Sequence, residues 1–257
     1  MKTLTIEKLT KSYAKETVAL DEFSLGIDQG GCIGIVGESG SGKSTLARIL
    51  LGLESFDQGQ ILFKGLQIPP KKKKDYRDYR RDVQMVFQDA TSALNPKLPI
   101  WKIILEPLDN FKEVKPSFIK EDGLSRKAVA SHLLEMVGLE REFVDRYPYQ
   151  LSGGQKQRVS IARAISLEPS LLICDEPTAS LDVTVQFQIL ELLKKLQEET
   201  NMTILFISHD IRAVTFLCEK IVVLKQGIIV DHFHMKDLYK KNRHLYTKQL
   251  IKVASLS

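Results

Sequence analysis

Apolar positions recur at short, regular intervals through the first thirty or so residues: Leu4, Ile6 and Leu9, then Val18, Leu20, Phe23, Leu25 and Ile27. Successive side chains of a strand point to opposite faces, so this spacing predicts half-buried strands. Asp28-Gln29-Gly30-Gly31 closes the stretch as a turn. The pattern then changes. Cys32-Ile33-Gly34-Ile35-Val36 is apolar throughout, as in a strand covered on both sides. Residues 46–51 have helical composition, and 60–63 and 83–87 read as further strands, the second ended by Gln88. Between 89 and 150 the alternation stops. Asn95-Pro96, Pro99, Pro107 and Pro116 divide that stretch into short pieces, and 125–137 predicts an amphipathic helix with Ala128, Leu133, Leu134 and Val137 apolar. From Leu151 the pattern resumes: helix over 156–166, strand over 171–174, helix over 186–199, strand over 203–207, and a hairpin of 221–224 with 227–230 turning at Lys225-Gln226-Gly227. Strands alternating with helices predict an α/β fold, and the interruption predicts an inserted helical subdomain.

One polar stretch organises the rest. Gly37-Glu38-Ser39-Gly40-Ser41-Gly42-Lys43-Ser44-Thr45 lies between a buried strand and a helix, the context in which this spacing means a phosphate cradle. Glycines there allow dihedrals closed to other residues, so successive N–H groups can face an anion. The helix that follows adds its free N–H groups and partial positive charge. Lys43 supplies a point charge for the β- and γ-phosphates, and the Ser44 hydroxyl is placed to ligate Mg²⁺. Asp175 and Glu176 end an apolar strand, where ligands of open parallel sheets bind. Adjacent carboxylates at such a place are costly unless matched by a cation. Asp175 is therefore expected to hold the metal or its water, and Glu176 to polarise the attacking water. Gln88 and His209 also stand at strand ends and can converge on the same crevice, Gln88 as a metal ligand and His209 as a partner of the γ-phosphate. Tyr13, upstream of the cradle, is an adenine-stacking candidate. Ser152, Gly153, Gly154 and Gln155 form a second anion-binding tip at a helix start.

Composition narrows the setting. The chain has 257 residues, 43% hydrophobic and 27% charged, with a formal net charge of +5; these are globular values. Much of the positive charge lies in Lys71-Lys72-Lys73-Lys74, continued by Arg77, Arg80 and Arg81, and in the tail from Lys236 to Lys252. The first cluster reads as a solvated loop, with attraction to anionic lipid headgroups or nucleic acid as the alternative. No aromatic stripe accompanies it as a base-stacking platform, and nucleic acid is not an expected partner. Cys32, Cys174 and Cys218 lie in apolar runs and read as reduced, buried thiols. No run of apolar residues is long enough to span a bilayer, and the N-terminus does not read as a signal peptide.

The ordered set of motifs resembles the ABC-type ATPases over nearly the whole chain. Tyr13 matches the adenine-stacking residue, Gly37 to Thr45 Walker A, Gln88 the Q-loop residue, Leu151 to Gln155 the signature, Leu171 to Glu176 Walker B, Ser180-Leu181-Asp182 the D-loop and His209 the switch histidine. The resemblance implies a RecA-like P-loop NTPase core with an N-terminal antiparallel β subdomain and an inserted α-helical subdomain. It implies one domain over 1–257, with 1–88 and 156–257 as core and β subdomain and 89–155 as the helical subdomain. ATP and Mg²⁺ are the implied cofactors. A second ATPase subunit would supply Ser152, Gly153, Gly154 and Asp182 in trans. The run from Phe87 to Pro96, the segment Ser180 to Gln186 and the tail His244-Leu245-Tyr246-Thr247-Lys248-Gln249-Leu250 are similar to importers of the oligopeptide, dipeptide and nickel type. Ala90 stands where Pro is frequent in that family, a departure from the pattern; the shortness of the chain, with no cysteine after Cys218, resembles the nickel or metallophore branch. The implied function is ATP hydrolysis that energises uptake of peptides, nickel or metallophore complexes. It implies a heterodimer at the cytoplasmic face of the membrane, two transmembrane permease subunits with a helix docked on 88–107, and an extracytoplasmic solute-binding protein. The alternative is a soluble ABC ATPase acting on nucleic acid or ribosomes. The stretch between Thr45 and Leu151 does not read as the long coiled coil of the DNA-repair members, the chain carries one ATPase motif set, and no membrane segment precedes Tyr13 as a fused exporter would need.

Overall fold

The computed structural model describes residues 1–14, 17–70, 73–119 and 123–256. β1 (Lys2–Ala14) and β2 (Thr17–Asp28) pair antiparallel, with Leu4 opposite Ile27, Ile6 opposite Leu25 and Leu9 opposite Phe23. The chain then passes into β3 (Cys32–Val36) and α1 (Lys43–Leu50), and returns through β4 (Gln58–Phe63) and β5 (Leu66–Ile68). β4 pairs antiparallel with β1, giving a sheet of order β2-β1-β4-β5. α1 begins three residues earlier than its apolar pattern suggests, because Lys43 and Ser44 form its first turn.

The basic cluster is a correction. Lys71 and Lys72 lie outside the described residues, but Lys73–Asp82 is a helix, α2, rather than a loop. Its apolar anchors are Tyr76 and Tyr79, spaced to share a helix face. Tyr79 is buried and its hydroxyl donates to Leu50 O; Tyr76 donates to Gly52 O at 2.8 Å. β6 (Val83–Val86) follows, then the short α3 (Ala90–Ala93), capped by the Asp89 carboxylate.

α4 (Ile100–Asn110) is a second departure, since the prolines pointed to short pieces. Pro99 is its N-cap, a position that needs no helical N–H, and Pro107 sits within its last turns. Ile100, Ile103, Ile104, Leu105 and Pro107 make its buried side, and that burial outweighs the hydrogen bond Pro107 cannot donate. α5 (Arg126–Met136) starts at its Ser125 cap, close to the expected boundary.

α6 (Gly153–Ile165) starts inside the Ser-Gly-Gly-Gln stretch rather than after it. Ser152 caps it, accepting from Gln155 N at 3.3 Å, while the Gln155 side chain accepts from Ser152 N at 2.9 Å. The remaining strands and α-helices are β7 (Leu171–Asp175), α7 (Val183–Thr200), β8 (Thr203–Ser208), α8 (Ile211–Leu217), β9 (Lys220–Lys225), β10 (Ile228–His234) and α9 (Leu245–Leu256).

The second sheet has order β10-β9-β3-β8-β7-β6. All its neighbours are parallel except β10, which closes the edge as an antiparallel hairpin with β9. Its strands are apolar on both faces, and their alternation assigns each residue to one of two cores. Ile33, Ile35, Leu171, Ile173, Leu205 and Ile207 face the antiparallel sheet and α1. Cys32, Val36, Leu172, Cys174, Ile204 and Phe206 face the other way, toward α4 to α8. Cys32, Cys174 and Cys218 are buried free thiols, as the apolar runs around them suggest. Because β3, β6, β7 and β8 are parallel, their carboxyl ends share one rim of the sheet, and that rim carries the polar groups singled out in the sequence.

Candidate active site

β3 delivers the chain to Gly37 at the rim. A Cβ at Gly37 would stand 2.1 Å from Leu224 O, so the strand beyond β3 can pass only as glycine. Gly42 has φ +106 and a Cβ there would meet Ala19 O at 2.2 Å. Both positions demand glycine, one for approach and one for conformation as well. Gly42 is also the N-cap of α1, and having no side chain it leaves the first N–H groups of the helix to a ligand. The Lys43 ammonium folds back over the loop, donating to Gly37 O at 2.7 Å and Glu38 O at 2.8 Å. Burial pulls the pKa of Lys43 down, opposed by the carboxylates of Glu176, Asp175 and Glu38.

β7 and β8 bring the carboxylates and the histidine to the same rim. Asp175 Oδ1 lies 3.5 Å from Ser44 Oγ, which joins β7 to the start of α1. Glu176 Oε2 lies 3.0 Å from His209 Nδ1, and the Glu176 side chain is 18% exposed against 57% for the histidine. Glu176 takes φ +48, a left-handed conformation unusual for a residue with a side chain, and its N–H donates to Ile207 O at 2.9 Å. The backbone is thus held in a sparsely populated region where it turns the carboxylate toward the loop.

One pocket of about 730 Å³ collects Tyr13, Gly37, Glu38, Ser39, Gly40, Gly42, Lys43, Ser44, Thr45, Gln88, Glu176 and His209. Ser41 and Asp175 are not part of this lining, but each touches it, Ser41 Oγ 3.5 Å from Lys43 Nζ and Asp175 Oδ1 3.5 Å from Ser44 Oγ. Tyr13 is about half exposed, and its hydroxyl is anchored to Glu54 Oε2 at 2.7 Å and placed 3.2 Å from Thr45 Oγ1. Its ring is therefore fixed at the mouth beside the cradle.

Ser152, Gly153, Gly154, Gln155 and Asp182 do not line this pocket. They lie together elsewhere on the chain. Asp182 caps α7, accepting from Val185 N at 2.9 Å. A Cβ at Gly154 would stand 2.5 Å from Val185 Cγ1, so the start of α6 sits directly on the start of α7. One chain therefore presents two polar faces, the glycine loop with its carboxylates and a separate serine-glycine tip.

The sequence did not point to Thr17, Val18, Ala19 and Leu250, which also line the pocket. Nor did it point to Tyr246, whose hydroxyl accepts from Glu38 N at 3.0 Å. The three residues of β2 read only as strand, and the tail residues reach the cradle from the far end of the chain.

Asp175 offers a stability test. Burial raises its pKa, the neighbouring Glu176 raises it further, and Ser44 and Lys43 oppose the change. A folded-state pKa above the unfolded one favours the protonated chain, so this contribution to stability is present at acid pH and lost as pH rises through the folded value. Asp175→Asn is expected to stabilise the nucleotide-free chain by about 1 kcal/mol at pH 7, with the gain shrinking below the ordinary carboxylate range. Urea midpoints at pH 7 and pH 4 check this; a lower midpoint for the variant at pH 7 would mean that Lys43 and Ser44 more than offset the burial.

A family profile described as ABC transporter matches residues 20–179. An oligopeptide transport ATP-binding protein, OppF, of Lactococcus lactis subsp. lactis (strain IL1403) is 41% identical over 234 residues, covering 91% of this chain and 71% of the relative. The protein of the same name from Bacillus subtilis (strain 168) is 40% identical over 239 residues, covering 93% and 76%. Among solved structures, a dimeric post-hydrolysis state of the ATP-binding cassette MJ0796 bound to ADP and Pi superimposes with a TM-score of 0.78 at 33% identity, covering 90% of this chain and 98% of that one. The structure of cbiO1 from Clostridium perfringens, part of the ABC transporter complex cbiONQ, gives a TM-score of 0.80 at 28% identity, covering 99% and 98%.

Proposed function

Because the chain belongs to the ABC transporter family and is one of its ATP-hydrolysing cassettes, we propose that it energises a peptide importer by closing on ATP together with a second ATPase subunit. The observation that carries this reading is the separation of the two polar faces. The cradle, the paired carboxylates and the histidine share one pocket, while the serine-glycine tip stands outside it. A helix tip whose cap takes up only the Ser152 and Gln155 N–H groups, and which is remote from its own cradle, suits a triphosphate held by a partner subunit.

In this reading Tyr13 stacks on the adenine, and residues 37–45 wrap the phosphates. Lys43 neutralises charge developing on the β- and γ-oxygens. The Glu176 carboxylate orients the attacking water and draws on its proton as the water adds to the γ-phosphorus and the bond to the ADP oxygen breaks. His209, tied to Glu176, holds the γ-phosphate. The residues present suit Mg²⁺: the Ser44 hydroxyl, the Asp175 carboxylate and Gln88 would share it with phosphate oxygens, which agrees with the ion's habit of using few protein ligands. Mg²⁺ would screen the phosphate charge. Ser152, Gly153, Gly154, Gln155 and Asp182 act on the partner's nucleotide. Residues 89–155 form the helical subdomain, and 1–88 with 156–257 the core and β subdomain.

Binding ATP more tightly in the closed pair than in the open one is what lets hydrolysis do mechanical work on other subunits. Among the described residues no helix is long and apolar enough to cross a membrane. The proposed assembly accordingly includes two transmembrane permease subunits, with this chain peripheral at the cytoplasmic face, a solute-binding protein outside, and a different ATPase chain as partner. The names of the relatives favour peptides over nickel or metallophore complexes as cargo.

Two measurements test the proposal. Full-length tagged protein is expected to copurify with two polytopic membrane proteins, and its deletion to abolish uptake of labelled oligopeptides by the cell. Recovery of ribosomes or nucleic acid instead, with uptake intact, would overturn it in favour of a different ABC ATPase.

A further inference from the structure

The C-terminal helix reaches the phosphate loop through one side chain. The Tyr246 hydroxyl accepts the Glu38 N–H at 3.0 Å. Tyr246 is only 4% exposed, and the Lys225 ammonium lies 4.8 Å from its ring centroid. The start of α9 is clasped to β10 around the Asp231 carboxylate, to which Arg243 Nη1 donates at 3.0 Å, His244 N at 2.9 Å and Thr247 Oγ1 at 2.9 Å. Asp231 and Arg243 are nearly buried, and Thr247 is fully so. One turn beyond Tyr246, Leu250 lines the pocket that holds the cradle. A smaller adjoining cavity of about 310 Å³ is shared by Glu38, His209, Tyr246 and Leu250.

The bond to Tyr246 falls on a particular peptide group. The N–H of Glu38 and the carbonyl of Gly37 belong to the same peptide plane, and that carbonyl accepts from Lys43 Nζ at 2.7 Å. The plane is therefore gripped from both sides, by the loop's own lysine within and by the C-terminal helix without. A phosphate cradle works by fixing the directions of its N–H groups before the anion arrives. A phosphate would compete for the three N–H donors of Lys43 and loosen its hold on the Gly37 carbonyl, whereas the Tyr246 hydroxyl holds the same plane from outside the cradle.

We infer that Tyr246 is a positioning residue for the phosphate loop, and that the clasp around Asp231 makes docking of the C-terminal helix a condition of tight nucleotide binding. The inference rests on the reading of residues 37–45 as the phosphate cradle. It assigns the tail a part in ATP affinity, which the motifs of the nucleotide site do not.

The test uses the full chain. Tyr246→Phe keeps the ring and its contact with Lys225 and removes only the acceptor. Equilibrium titration with ATP is expected to show about five- to tenfold weaker binding, with KM raised in proportion and kcat at saturation within about twofold of wild type. Thr247→Val removes one donor of the clasp and is expected to weaken ATP binding in the same direction by a smaller factor. The unfolding midpoint of the nucleotide-free chain separates positioning from plain stability. A lower midpoint for Tyr246→Phe with unchanged ATP affinity would overturn the inference, as would unchanged affinity alone. A wild-type chain that bound no ATP would remove the cradle reading, and this inference with it.

Discussion

Glu176→Gln is expected to lower ATP turnover at saturating nucleotide by at least about 100-fold and to leave ATP affinity close to that of wild type. The expectation follows from what the substitution changes. Gln has the same size and can adopt the same left-handed backbone at φ +48, so the turn after β7 and the bond from its N–H to Ile207 O survive. What is lost is the carboxylate, and with it the acceptor proposed to orient a water and draw on its proton. Lys43, the loop glycines and Ser44 are untouched, so the proposed grip on the phosphates is expected to remain. Phosphate release under saturating ATP, alongside an equilibrium titration, reads the two quantities separately. Ordinary turnover in the variant would take Glu176 out of the mechanism and leave its strained backbone without a chemical purpose.

The cradle was legible in the sequence because its chemistry is local. Strand, glycine loop and helix are contiguous, and each residue's task follows from its neighbours. The place of the carboxylates at the end of β7 was legible for a related reason, since an apolar run that closes on two charges marks where a buried strand reaches the rim of the sheet. The faces of the parallel sheet were not legible. Runs such as Leu171-Leu172-Ile173-Cys174 are apolar at every position, so only the packed structure divides them between the two cores. α2 and α4 were obscured for opposite reasons. In α2 the lysines and arginines hid two tyrosines that anchor one face, and in α4 the prolines suggested breaks that burial of Ile103 and Ile104 overrides. Tyr246 could not be read at all as part of the site. Its partner is a backbone N–H at the other end of the chain, and no spacing rule links a phenol to a main-chain group more than two hundred residues away.

Gly153→Asp gives the sharpest separation of what one chain does from what two do. A Cβ at Gly153 would meet only Leu181 Cδ2, at 3.4 Å, which is ordinary contact. The new carboxylate would stand in the first turn of α6, where the helix dipole favours negative charge by about 0.3–1 kcal/mol. Nothing in the single chain therefore opposes the substitution, and the unfolding midpoint and monomer ATP affinity are expected to hold. If the tip of α6 faces a triphosphate on the partner, the same carboxylate meets like charge in a closing interface. ATP-driven dimerisation should then fail, and turnover should drop at least about 100-fold. Gly154 cannot serve this purpose, because a Cβ there would already collide with Val185 Cγ1 at 2.5 Å within the chain. Sedimentation of the Glu176→Gln protein with ATP, with and without Gly153→Asp, reads the dimer directly. A stable ATP dimer carrying the aspartate would show that the tip does not meet the nucleotide, and an equal loss of monomer affinity would place its action within one chain.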